Sequence, residues 1–149
     1  MKKALITFGI IIIIIISYLF WYYTSSSDDE IHLLPKNFKG IVIIRFNVNN
    51  GKDELYENGK RVYEIPQNGI LDTKFGFDEG WSSPPEIYYL DGDKRISLGK
   101  NKVFSMRSGV AISDITNKEI SFSTYLVCEE KEQDSLFNIR ERLNVADAK

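Results

Sequence analysis

The sequence predicts a mainly β protein: an N-terminal transmembrane helix, then an antiparallel β-sandwich-like domain with one short C-terminal helix. Three observations predict it. An uncharged apolar run extends from Ala4 to Tyr23. Short β-branched or alternating segments follow, punctuated by Asn50-Gly51, Asn58-Gly59, Asn68-Gly69 and Asp91-Gly92. Near the end, Leu136, Ile139 and Leu143 recur at helical spacing.

The apolar run comes first. Twenty helical residues rising about 1.5 Å each span roughly 30 Å, the thickness of a bilayer's hydrocarbon core. The isoleucines Ile10 to Ile16 contribute about −2 to −4 kcal/mol on the insertion scale, which outweighs Thr7, Gly9 and Ser17. In lipid the backbone must satisfy its own hydrogen bonds, so one spanning segment has to be helical. Tyr18, Trp21, Tyr22 and Tyr23 read as an interfacial aromatic belt. Lys2 and Lys3 precede the run and Asp28, Asp29 and Glu30 follow it, which places the N-terminus in the cytoplasm and the rest outside. The organisation expected is a cytoplasmic end at 1–3, a signal anchor at 4–23, a tether at 24–30, a β domain at 31–128, and a helix and tail at 129–149. One competing reading is a signal peptide cleaved near Thr24, Ser25 and Ser26, although the apolar part of such peptides usually covers only about 7–15 residues; the other, a buried core helix, needs a larger protein around a segment apolar on every face.

Charge narrows the partners. The chain holds 19 basic and 21 acidic residues; without Lys2 and Lys3, 17 stand against 21, a net charge of −4. A nucleic-acid surface requires the opposite sign. Cys128 is the only cysteine, so no intrachain disulfide forms, and it follows Tyr125, Leu126 and Val127 as a buried structural thiol would. Its one possible catalytic partner is His32, the only histidine.

Within the domain, GIVIIRF (Gly40 to Phe46) is apolar on both faces apart from Arg45, as a central strand is. Asn58-Gly59 predicts a type I′ hairpin turn. In RVYEI, Tyr63 and Ile65 share one face, and Pro66 ends the ladder because it has no N–H. After the turn at Gln67, Asn68 and Gly69, Leu71, Thr73, Phe75 and Phe77 alternate with polar residues, so residues 61–81 read as strand, turn, strand. Pro84 and Pro85 form a loop, Ile87 to Leu90 and Arg95 to Leu98 a second hairpin, and Lys102 to Met106 and Glu119 to Val127 the last strands. The stripe Leu136, Ile139, Leu143 is expected to pack on the sheet, with Arg140 and Arg142 complementing the helix dipole, and the final VADAK to fray.

No catalytic or metal-binding residue and no cofactor is predicted. Clustered histidines or cysteines, a phosphate-binding glycine loop and a nucleophile elbow are all missing from the sequence. Asp91-Gly92-Asp93 lacks the further spaced carboxylate of a calcium loop. A hydrolase built on two carboxylates, defined by separation in space, is the remaining enzymatic reading. Candidate binding residues are Trp81, Tyr88 and Tyr89 beside Pro84 and Pro85, whose rings either offer contact area or fill the core. Lys94 and Arg95, with Lys100, Lys102 and Arg107, form either a cationic patch for lipid headgroups or wall polymers, or a solvated strand face. The function expected is a membrane-anchored, extracytoplasmic, non-enzymatic domain binding a protein or cell-envelope component. The alternative is a toxin-immunity or inhibitor protein held at the membrane.

LLPKNFKGIVIIRFN, GKRVYEIPQNGILDTKFGFDEGW and EIYYLDGDKR together resemble an uncharacterised bacterial family of exported or lipoprotein-like domains of unknown function, over residues 31–128. The recurring elements are Leu34-Pro35, Gly40, Tyr63-x-Ile65-Pro66-x-x-Gly69, Thr73 and Gly80-Trp81. The resemblance implies an exported β domain and brings no catalytic residues. Members often carry a lipobox cysteine, where this chain has the apolar run.

Overall fold

The computed structural model describes residues 2–24, 27–78, 80 and 83–149, and for 2–8, 23, 24 and 100 the backbone alone. Two compact units make up the chain, residues 1–28 with 78–82, and residues 29–77 with 83–149.

In the first unit, helix α1 runs Lys2–Thr24, 23 residues. Its isoleucines Ile10 to Ile16 are each between 40% and 64% exposed. Near its end the Tyr18 ring lies 6.2 Å from that of Trp21 and 6.5 Å from that of Tyr22. Among the described residues no helix is long and apolar enough to cross a membrane. Asp78 receives the backbone N–H groups of Asp28 and Gly80, each at 3.2 Å.

In the second unit nine strands are described: β1 (Glu30–Pro35), β2 (Gly40–Arg45), β3 (Tyr56–Glu57), β4 (Lys60–Glu64), β5 (Ile70–Asp72), β6 (Glu86–Asp91), β7 (Lys94–Ser97), β8 (Val103–Ile112) and β9 (Glu119–Val127), followed by helix α2 (Gln133–Glu141). They form a five-stranded sheet in the order β3-β4-β1-β6-β7 and a four-stranded sheet in the order β5-β2-β9-β8. Both expected hairpins form, β3 with β4 and β6 with β7. Asn58 and Gly59 have φ of 50° and 79°, as a type I′ turn requires, and Gly92 takes the positive φ of 61° at the first position of its turn.

The sheets are mixed, which corrects the antiparallel expectation. β1 runs parallel to both β4 and β6, and β2 runs parallel to β5. The cause is the path of the chain. After β1 it crosses to the other sheet for β2, returns for β3 and β4, and crosses again for β5, so a strand re-enters its sheet in the direction of an earlier one. RVYEI and the segment after it therefore belong to different sheets. The turn between them carries Gly69 at φ 79°, where an added Cβ would collide with the Ile41 carbonyl and lie 2.8 Å from the Phe38 ring. β5 ends at Asp72, short of the expected strand, yet Leu71, Thr73 and Phe75 are buried as the alternation requires. Thr73 continues the pairing alone, as a bridge to Lys52.

The main core lies between the sheets, with Leu34, Tyr63 and Ile87 from one and Val42, Ile44 and Tyr125 from the other. β2 is buried on both faces: Ile43 and Phe122 point away from that core and meet Val145 from the C-terminal tail. Here two expectations fail. Ile139 and Leu143 are 49% and 40% exposed, while the buried residue of α2 is Arg140, at 1%. The tail does not fray. Arg45 donates to the carbonyls of Ala146 and Ala148 at 2.7 and 3.2 Å, and Asp147 accepts from Ser113 Oγ at 2.6 Å and from the Asp114 N–H at 2.7 Å. With Val145 filling the apolar face, the strap outweighs the entropy of a free end.

Candidate functional site

Strand β8 is irregular where it faces the core. Its pairing with β9 shifts register between Phe104 and Arg107, and Ser105 sits at φ 53°, a conformation that costs a residue other than glycine roughly a kcal/mol or more. Arg140 answers this bulge: Nη1 donates to the Ser105 carbonyl, and Nη2 donates to Ser105 Oγ at 2.8 Å and to Glu141 Oε1 at 3.3 Å. Its Nε is buried with no partner among the described residues. Burial first, and then the nearby Arg107 charge, lower the Arg140 pKa. A bulge re-aims the residues around it. Here the polar atoms of Ser105 turn to Arg140, and Met106, 44% exposed, turns to a cleft.

That cleft, about 270 Å³, opens between the two sheets. Among the described residues Pro84 and Pro85, Ile87, Leu98, Val103 and Met106 line it. Ile87 and Leu98 belong to the main core, 7% and 8% exposed, so the cleft reaches the core from outside. Along β7, Ile96 pairs with Tyr89, whose ring packs against the core. Lys94, Ile96 and Leu98 therefore share the core-facing side, and Ile96 is 49% exposed.

The chain's other polar constellation is closed. His32, 1% exposed, lies 3.0 Å through Nε2 from Glu30 Oε2 and 2.9 Å through Nδ1 from Tyr125 Oη. With Nε2 donating to the carboxylate, Nδ1 of the neutral ring accepts from the tyrosine O–H. Tyr63 meets the imidazole edge-on at 5.2 Å, its hydroxyl near Glu30 and Arg61. Burial pushes both phenols well above their usual range, so they stay protonated. Tyr125 is 0% exposed, so the chain Glu30–His32–Tyr125 ties β1 to β9 across the core, with only the Glu30 carboxylate reaching solvent, at 26% exposure. Cys128 is likewise 2% exposed, and burial, ahead of Glu132 and Glu129, raises its pKa.

The residues singled out in the sequence fall on different surfaces. Trp81 lies outside the described residues. Tyr88 and Arg95 occupy the outer face of the five-stranded sheet, where Tyr88 Oη donates to Glu86 at 2.8 Å and Arg95 pairs with Glu57. Tyr89 is on the inner side and donates to the Phe38 carbonyl at 2.9 Å. Of the basic residues, Lys102 pairs with Glu129 at 3.2 Å and Arg107 with Glu141 at 3.0 Å. Lys94 is exposed beside the apolar strip. Pro84 and Pro85 do border the cleft. Met106, Val103 and Leu98 were not singled out; the signal was the alternation Lys94, Ile96, Leu98, which leaves an isoleucine on an edge strand.

A family model matches residues 26–136. The chain belongs to DUF6843, a family of unknown function. The residues that carried the sequence resemblance have structural roles here: Leu34, Tyr63 and Ile65 fill the core of the DUF6843 domain, and Gly69 makes the turn whose N–H returns to the Pro66 carbonyl at 2.9 Å. Among solved structures, a candidate lipoprotein from Bacillus anthracis shares the fold, with a TM-score of 0.59 at 17% identity over 76% of this chain and 95% of that one. No curated protein matches. The cleft's wall at Met106 and Val103 lies inside the DUF6843 match, while most of α2 and the strap follow it.

Proposed function

We propose that the chain is a DUF6843 domain exported across the cytoplasmic membrane, held there by α1, and that it binds a cell-envelope component at the inter-sheet cleft without transforming it. The observation that carries the reading is the row Ile10 to Ile16, exposed on α1 with no charge between Ala4 and Tyr23. Side chains are described only for 9–22 of this helix; in the sequence the apolar run continues back to Ala4. The helix's 23 residues extend about 34 Å at the usual rise, and side chains of this kind find their stable environment in lipid. The neighbour named as a candidate lipoprotein supports the same location, α1 doing here what a lipid would do there. Binding rather than catalysis is supported by the commitment of His32 and Cys128, the chain's only imidazole and thiol, to the interior.

Carbonate washing of membranes from cells making the full chain tests the anchor. The full chain is expected in the membrane pellet, and a form lacking 2–24 in the supernatant. Intact full chain in the supernatant would overturn the reading.

A further inference from the structure

We infer that the inter-sheet cleft takes a single-chain anionic amphiphile, its acyl chain between Leu98 and Met106 and its head group at Lys94. This deepens the proposed role of the cleft and rests on it. A cleft of about 270 Å³ is just below the roughly 300–1,000 Å³ of ordinary ligand sites. It admits one flexible chain and is too small for a two-chain lipid. The side chains described along its walls, from Pro84 and Pro85 to Met106, are apolar, which favours hydrocarbon for the inserted part. Met106, unbranched and polarisable, adapts to such a guest.

The head group is set by what lies at the end of the strip. Lys94 and Ile96 share one side of β7 with Leu98 just past its end, and four residues of extended chain cover about 13 Å, the reach of a medium-length chain from its polar end. Asp91, the cross-strand neighbour of Lys94, is engaged instead by Lys36 at 2.8 Å, which leaves the Lys94 ammonium for an anion. The wall itself is expensive to hold open. Ser105 at positive φ and the buried Arg140 guanidinium fix the bulge that turns Met106 inward, and strain kept in place by a buried charge marks a shape that is used.

The test is photolabelling of the full chain in phosphatidylcholine vesicles with three diazirine probes of one chain length: a fatty acid, a lysophospholipid with an anionic head and a fatty alcohol. Labelled peptides are read by mass spectrometry. Either anionic probe should label the segment 96–106, and which one does so identifies the source of the ligand. Lys94→Glu and Met106→Trp should each lower that labelling about tenfold, the size of one lost contact of this kind, with labelling of α1 unchanged. Labelling of α1 without 96–106 would overturn the cleft assignment and leave the anchor standing. Labelling of 96–106 without α1 would leave the cleft standing and sink the anchor. Equal labelling of 96–106 by the alcohol, or no effect of Lys94→Glu, would overturn the anionic head group.

Discussion

Arg95 on β7 and Glu57 on β3 form a two-pronged ion pair, Nη1 to Oε1 and Nη2 to Oε2 both at 2.7 Å, between the outermost strands of the five-stranded sheet. Strands spaced about 4.8 Å apart would put the edges of a flat sheet roughly 19 Å from one another, beyond the combined reach of the two side chains. The sheet therefore curls toward its outer face. Beneath the pair, Ile31, Leu33 and Val62 are only 4–5% exposed although no second sheet covers them.

Arg95 lowers the Glu57 carboxyl below its usual range, chiefly through the hydrogen bonds it donates. A depressed carboxyl stabilises the fold above its unfolded pKa, and the contribution is lost as pH falls through the folded value. Glu57→Gln should therefore speed amide exchange in β3 and β7 at neutral pH and match the parent in acid. Exchange unchanged at neutral pH would show that the pair does not hold the curl.

His32 ties the sheets through its hydrogen bond to Tyr125, and a second bond holds it to Glu30 on its own strand. Tyr125→Phe leaves Nδ1 without its donor and should cost about 1–3 kcal/mol; His32→Ala adds a cavity and should cost about 3–5 kcal/mol. The double variant should cost less than the sum, since both remove one bond. Urea unfolding measures all three.

Arg140 and Ser105 form one unit. Arg140→Ala leaves the Ser105 carbonyl without its partner and should cost about 2–4 kcal/mol. Ser105→Gly relieves the positive φ but loses one hydrogen bond, so it should fall within about 1 kcal/mol of the parent. Ser105→Val, β-branched at positive φ, should cost more than Ser105→Gly. Thermal unfolding of the three variants checks the order.

The strap is pH-sensitive at Asp147. The Ser113 hydroxyl, followed by the backbone N–H groups of Asp114 and Ile115, holds its carboxyl below the ordinary aspartate value. The contribution is full above that value and fades as pH drops through the folded one. Asp147→Asn should lower Tm near neutrality and flatten its fall in acid. An unchanged acid limb would mean the strap does not respond.

Much of this was legible from residue patterns. Asn58-Gly59 and Asp91-Gly92 placed two hairpins because positive φ leaves few alternatives, and GIVIIRF marked the central strand because only a strand covered on both sides is apolar throughout. Alternation says which face a residue takes and nothing about its neighbour, so the parallel pairing of β1 with β4 and β6 was hidden. Arg140 looked like a dipole partner on a solvated face; its burial depends on a bulge in β8, 35 residues away in sequence. The cleft was hidden for the same reason, its walls coming from β6, the end of β7 and β8. In the tail, Val145 and Asp147 gained order from Phe122 and Ser113, partners that no local propensity reveals.

Cysteine labelling in intact cells measures most directly whether the β domain stands outside the membrane on α1. Cys128 is buried with its thiol pKa raised, so the parent chain should be silent to a membrane-impermeant maleimide. A chain with Lys149→Cys should label in intact cells, and one with Lys3→Cys only after lysis. Labelling of Lys149→Cys only after lysis would place the domain in the cytoplasm and contradict the account.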